Sequence, residues 1–350
     1  MDLKTIYGEL DGMGLADLVR RREVSPLELV DEAIRRTEAV NGALNAVISR
    51  MFEHGRAAAI DMPRDGPFAG VPFLMKDFLA EVAGQPFYEG SSFLDGYIPA
   101  EDSEIYRRFT RAGLITIGKT NLPEMAIGAT TEPRKFGPTH NPWDLARTPG
   151  GSSGGAAAAV AARIVPMAHG NDVGGSIRIP ASCCGLVGLK PTRGRITLAP
   201  HYGDLFAGYL AEGALTRSVR DTAGLLDAIA GPALGEPYSA PAPARPFAQE
   251  VGANPGRLCI GFSTVTPLGD PLDPECAAAV KAAAALCEAC GHDVVEAMPA
   301  YDAMKLWTQF TAVLAGGVAW ALADWSRRLG RPLEEAQFEP FVWAFAQRGR

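Results

Sequence analysis

A chain of 350 residues that is 47% hydrophobic and 21% charged has enough apolar surface for a large core and falls outside the disordered class. Its 33 Lys and Arg are outnumbered by 40 Asp and Glu, and the net charge of -7 gives no general attraction for phosphate backbones or anionic lipid. The N-terminus has no apolar leader and no stretch approaches the roughly 20 apolar residues of a spanning helix, so neither a nucleic-acid nor a membrane partner is expected and the cytoplasm is the expected compartment.

In chain order, Ser25-Pro26-Leu27-Glu28 reads as a capping box with Pro at the first helical position. Leu29, Ala33 and Ile34 then predict a helix of about three turns. Val71 to Met75 is a short apolar run that fits a buried strand delivering Lys76 and Asp77 at its C-terminal edge. A helix over 104–112 and a buried strand over 114–117 continue the alternation, which favours an α/β sheet. The Gly- and Ser-rich stretch from Pro149 to Gly185 is interrupted by Ala156 to Ala162, so a glycine loop feeds a helix N-terminus. A capped helix starts at Ser218 and is closed by Gly231, and the Pro- and Ala-rich residues 232–256 read as a surface linker. Beyond it come a strand over 258–262, a helix over 274–290, a strand over 293–296 and a long apolar helix from Tyr301. Residues 341–350 still read as amphipathic helix without a closing cap, which suggests a fragment.

Three pieces stand out for chemistry: Lys76 after its apolar strand, the run from Gly150 to Gly155, and Asn171-Asp-Val-Gly-Gly-Ser-Ile-Arg178. Glycine runs let backbone N–H groups converge on an anion, either a phosphate or an oxyanion. Phosphate is disfavoured because Ala156 and Ala157 stand where a P-loop places Lys and Ser or Thr. Gly150-x-Ser152-x-Gly154 also fits a nucleophile elbow, but that arrangement needs a histidine. Only His169, His201 and His292 follow, none in an evident motif, so the elbow reading stays open and weak.

Taken jointly with Lys119-Thr-Asn121, Asn141-Pro-Trp-Asp144, Pro149 to Gly155, Gly170 to Arg178 and Gly185 to Thr192, these pieces resemble the amidase signature family over residues 5 to 350. The resemblance implies an α/β fold with a mixed, twisted central sheet covered by helices on both faces. It implies Ser176 as nucleophile, Ser152 as bridging serine in a cis peptide with Gly151, and Lys76 as base. The backbone N–H groups of Val173, Gly174, Gly175 and Ser176 would form the oxyanion hole. No histidine is required, and histidine substitutions are expected to matter little.

The chemistry makes sense of these residue types, because a serine hydroxyl attacks an amide only when a neighbour takes its proton. Lysine does this only when neutral, so its pKa of about 10.4 must fall by roughly 3 units, and burial beside Val71 to Met75 is the available cause. Ser153 is expected to hydrogen-bond the loop or the substrate in a supporting role, and Asp172 with Arg178 to brace the nucleophile turn as an ion pair. Met125, Ala126 and Ile127 lie where relatives line the acyl pocket, a role that core packing matches equally well. The apolar surroundings of Cys183-Cys184 favour buried packing over a nucleophile, and all six cysteines are read as reduced. Cys287 and Cys290 read as helix packing, so no metal and no cofactor are expected.

The expected activity is hydrolysis of carboxamide C–N bonds through an acyl-enzyme on a small-molecule amide, with a homodimer left open. One alternative is the amidase subunit of a glutamyl-tRNA amidotransferase. Against it, residues 204–213 lack that subunit's usual Ser-Leu-Asp-Gln-type run and Asn171 replaces a more frequent Ser or Thr, departures closer to the branch of cyclic-dimer nylon-oligomer hydrolases and aryl acylamidases. The other alternative is a truncated, non-catalytic binding or interaction protein. Residues 1–350 are read as one family domain lacking the family's C-terminal portion, a loss expected to expose a long apolar sheet edge.

Overall fold

The computed structural model describes residues 3–61 and 65–350. It divides into two compact units, Met1–Val251 with Ala315–Arg350, and Gly252–Leu314.

The first unit is built on strands β1 (Val47–Arg50), β2 (Val71–Lys76), β3 (Leu114–Thr120), β4 (Met167–Asp172), β5 (Val187–Gly188) and β6 (Ala211–Thr216). They form one mixed sheet in the order β1-β3-β2-β4-β6-β5. The centre, β3-β2-β4, is parallel, and the β1–β3, β4–β6 and β6–β5 pairings are antiparallel. Every residue of β2, β3, β4 and β6 is buried, so both alternating sets of side chains are covered, as expected for a sheet flanked by helices on either face.

The helices of this unit are α1 (Leu3–Glu9), α2 (Gly12–Arg20), α3 (Pro26–Leu44), α4 (Phe52–Asp61), α5 (Glu104–Arg111), α6 (Gly154–Ala161), α7 (Arg178–Cys184) and α8 (Val219–Ile229). The capping box is formed at the head of α3: Ser25 Oγ accepts from the Glu28 N–H, and Glu28 Oε2 accepts from the Ser25 N–H at 2.8 Å. At 19 residues α3 is longer than the three turns expected, because nothing breaks its stripe before Asn45 caps it in the left-handed region. Helix α6 is fully buried over residues 154–160, its alanines packing close to the sheet.

None of residues 232–256 is buried, and the stretch touches down where the N–H groups of Phe247 and Ala248 donate to the Asp227 carboxylate at 2.7 and 2.8 Å. The edges of the sheet are β1, of 4 residues, and β5, of 2. Among the described residues this six-stranded sheet therefore ends in two short strands rather than in the long apolar edge expected.

The second unit contains β7 (Cys259–Phe262), helix α9 (Pro274–Ala289) and β8 (Asp293–Glu296), the two strands pairing in parallel. Within this stretch Cys287 is half-buried and Cys290 exposed, so Cys290 does not pack as expected. Helix α10 (Ala303–Leu329) begins in this unit and ends in the first, which closes with α11 (Pro340–Gly349). With 27 residues and a mean hydropathy of 1.3, α10 is long and apolar enough by length and composition to cross a membrane, contrary to the sequence expectation. Within the first unit it buries Ala315, Val318, Leu322 and Trp325 along one face, while most of the helix is half-buried or exposed.

Candidate active site

Because β2 and β4 run parallel, their C-terminal ends lie side by side and deliver Lys76 and Asn171–Asp172 to the same place, the usual position for a site on such a sheet. Lys76 is fully buried, and its Nζ donates to Ser152 Oγ and to Asn171 Oδ1, both at 2.7 Å. Burial lowers the Lys76 pKa to about 7, although the charges of Glu212, Asp172 and Glu89 oppose the fall. At that value a substantial fraction of the amine is neutral near pH 7, the condition its expected role requires.

Ser152 enters from the glycine loop ahead of α6 and is buried. The Gly151–Ser152 peptide is cis, as the resemblance implied. Glycine is dictated here by close approach: a Cβ on Gly151 would come within 2.4 Å of the Thr130 carbonyl oxygen, and one on Gly155 within 2.5 Å of the Asn121 nitrogen.

Ser176 follows β4 in the turn that opens α7 and is half-buried. The turn is organised by Asp172. Its carboxylate accepts from the backbone N–H groups of Gly175 at 2.8 Å and Ile177 at 3.1 Å, and from Arg178 Nε and Nη2 at 2.9 and 2.8 Å. Burial opposes its ionisation, but Arg178 and these amides prevail and hold the carboxyl below its usual range. The expected Asp172–Arg178 brace is thus present. Gly175 adopts φ +134°, a conformation open to glycine.

One part of the expectation needs correction. The Gly175 N–H is committed to Asp172, which removes it from the four expected oxyanion donors and leaves Val173, Gly174 and Ser176. Ser153 has a more specific place than general support: its N–H donates to the Ser176 carbonyl at 3.1 Å, and its Oγ to the Asn171 carbonyl at 3.4 Å, joining the glycine loop to the nucleophile turn.

Met125 lines a cavity together with Phe78, Leu79, Glu89, Tyr202 and Trp325. Phe78 connects this wall to the lysine, whose Nζ lies 5.7 Å from its ring centre. Ile127 is buried and Ala126 half-buried, but neither reaches that cavity wall. Glu89 is the acidic member of the wall, accepting from Trp325 Nε1 at 2.9 Å, and burial pushes its carboxyl up to about 8. Of the paired cysteines, Cys184 is buried, but Cys183 is exposed, contrary to expectation. Burial raises both thiols, Cys184 to about 12, which disfavours either as a thiolate nucleophile.

Two contacts of Lys76 were not anticipated. Asn171, standing where Ser or Thr is more frequent in the motif, accepts from the lysine amine. His169 is fully buried on β4, and its Nδ1 accepts from the Lys76 backbone N–H at 3.2 Å. No sequence motif marks it.

Comparison with known proteins agrees with this geometry. The family model described as Amidase matches residues 28–336. The 6-aminohexanoate-cyclic-dimer hydrolase of Paenarthrobacter ureafaciens is 44% identical over 346 residues, covering 97% of this chain and 69% of that protein. A solved structure of 6-aminohexanoate cyclic dimer hydrolase complexed with substrate superposes with a TM-score of 0.93 at 42% identity, covering 100% of this chain and 72% of that one. A bacterial aryl acylamidase of the amidase signature family gives a TM-score of 0.88 at 29% identity, covering 97% of this chain and 72% of that one. Sequence, fold and site converge: the chain belongs to the amidase signature family and is a hydrolase of carboxamide C–N bonds.

Proposed function

We propose that Ser176 attacks the amide carbonyl while Ser152 takes its proton and passes one to neutral Lys76, giving an acyl-enzyme that water then hydrolyses. The single observation carrying this reading is the 2.7 Å contact between Lys76 Nζ and Ser152 Oγ, with both groups buried. The backbone N–H groups of Val173, Gly174 and Ser176 would hold the oxyanion, each such donor being worth about 3 kcal/mol in the transition state. When the tetrahedral intermediate collapses, Lys76 returns its proton through Ser152 to the leaving nitrogen. The same relay then activates the incoming water.

The proposed substrate is a small aliphatic or aryl amide whose acyl part lies against Met125, Phe78 and Trp325, a wall that is apolar apart from Glu89 and the Tyr202 hydroxyl. The names of the two relatives support this class: one acts on a 6-aminohexanoate cyclic dimer and the other on aryl acylamides. The cytoplasm is the proposed compartment, and residues 1–350 are proposed to be one family domain. The test is turnover of 6-aminohexanoate cyclic dimer, an anilide and glutamine by the purified chain, together with fluorophosphonate labelling. Labelling at Ser176 with hydrolysis of the dimer or the anilide is expected. Glutamine as sole substrate would favour the amidotransferase-type reading, and a folded chain that resists labelling would favour a non-catalytic one.

A further inference from the structure

His169 lies between the base and a second buried charge. Its Nδ1 is 3.2 Å from the Lys76 backbone nitrogen, its Nε2 is 2.7 Å from Glu212 Oε2, and its ring meets Phe109 edge-on at 5.7 Å. Both His169 and Glu212 are buried. A peptide N–H only donates, so Nδ1 must accept, the ring proton must sit on Nε2, and that N–H donates to Glu212. Glu212 Oε2 is thereby the acceptor of that bond.

The sheet brings the same carboxylate toward the other end of the lysine. In the β4–β6 register Glu212 stands directly opposite Asn171, whose side-chain oxygen accepts from Lys76 Nζ. Lys76 is thus gripped at its backbone by His169 and at its amine by Asn171, and Glu212 adjoins both, by hydrogen bond to one and by register to the other. Burying an acid is costly unless it is paired or hydrogen-bonded. The group that gains from it is Lys76, which becomes an ammonium each time it accepts a proton.

We propose that His169 and Glu212 are positioning residues for Lys76: the imidazole fixes the end of β2 through the lysine's own N–H, and the carboxylate supplies the negative charge that lets the buried amine accept a proton. The inference rests on reading Lys76 as the base. The groups acting on Lys76 are Asp172 from β4, Glu212 from β6 and Glu89 from the loop after β2, and Glu212 is the strongest of these three in opposing the effect of burial. The Asp77–Lys119 ion pair flanks the strand end.

The experiment measures the rate of fluorophosphonate labelling at Ser176 against pH for the full chain and for Glu212→Gln, His169→Asn and Lys76→Ala, with melting temperature as the folding control. Gln keeps an acceptor for the His169 N–H but loses the charge, so its acid limb is expected to move to lower pH and its plateau rate to fall by about tenfold, since a weaker base transfers protons more slowly. Asn keeps an acceptor for the Lys76 N–H but loses the link to Glu212. It is expected to lower the plateau rate with little change in probe binding, unlike the sequence expectation that histidine substitutions matter little, and it decides the matter if Glu212→Gln does not fold. Folded variants with wild-type plateau and limb, alongside an inert Lys76→Ala, would overturn the inference and leave the base assignment standing. Undiminished labelling of Lys76→Ala would overturn both.

Discussion

Lys76 Nζ donates to Ser152 Oγ across 2.7 Å inside a buried pocket, and the next residue along, Ser153, bonds through its N–H to the carbonyl of Ser176. Lys76 and Ser176 are therefore connected through two adjacent residues of one loop.

Removal of each member should give a graded loss. Ser176→Ala is expected to abolish turnover and fluorophosphonate labelling, Lys76→Ala to reduce both nearly to background, and Ser152→Ala to cut them by about 10²- to 10⁴-fold, the usual worth of a positioned proton carrier. Single-turnover hydrolysis with mass spectrometry of the labelled serine checks the order. Full turnover by Ser176→Ala would refute the scheme.

The acid side of the pH profile follows from the lysine. Burial brings its pKa to about 7, so below that pH it is protonated and cannot accept, and activity should rise as pH climbs through this region. A kcat/KM profile from pH 5 to 9 is expected to show the limb near neutrality. A limb near 4 or near 10 would assign the titration to another group.

Asp172 should matter for both stability and rate. Arg178→Ala leaves its buried carboxylate short of a bidentate partner, at an expected cost of about 1–3 kcal/mol in stability together with a lower kcat. The carboxyl is held below its usual value, so its contribution is present at neutral pH and fades as the solution is acidified through its lowered folded-state pKa. Thermal melts of wild type and Arg178→Ala at neutral and acidic pH check this: the gap between them should narrow in acid.

Gly155→Ala tests the close approach at the head of α6. The added methyl would sit 2.5 Å from one backbone atom of Asn121 and 2.6 Å from another, so the helix start must shift, costing about 1–3 kcal/mol or more. A melting temperature unchanged by the substitution would contradict the packing described.

The elements that could be read from the sequence were those whose burial is apolar or whose ends are marked by caps. Val71 to Met75 announces β2 because nothing in it is polar, and Ser25 with Glu28 announces α3 because the box is a local pattern. Strands β4 and β6 gave no such signal. His169, Asn171 and Glu212 are polar yet buried, and what makes their burial affordable is pairing with residues far along the chain, which no local window contains, whereas Asp172 pairs within its own turn. The same holds for the site. Lys76, Ser152 and Ser176 were named from motif resemblance, whereas the commitment of the Gly175 N–H to Asp172 depends on how a turn closes, and the role of His169 on which strands become neighbours.

The bond from Ser153 to Ser176 has an evolutionary consequence. With the two hydroxyl-bearing loops tied together, reaction machinery of this kind tolerates little local drift, and adaptation to new amides must happen elsewhere. The cavity wall at Met125 and Trp325 lies outside that tie, so side chains there can change size without altering the Ser153–Ser176 bond. A lineage built this way can diversify its diet without relearning its chemistry.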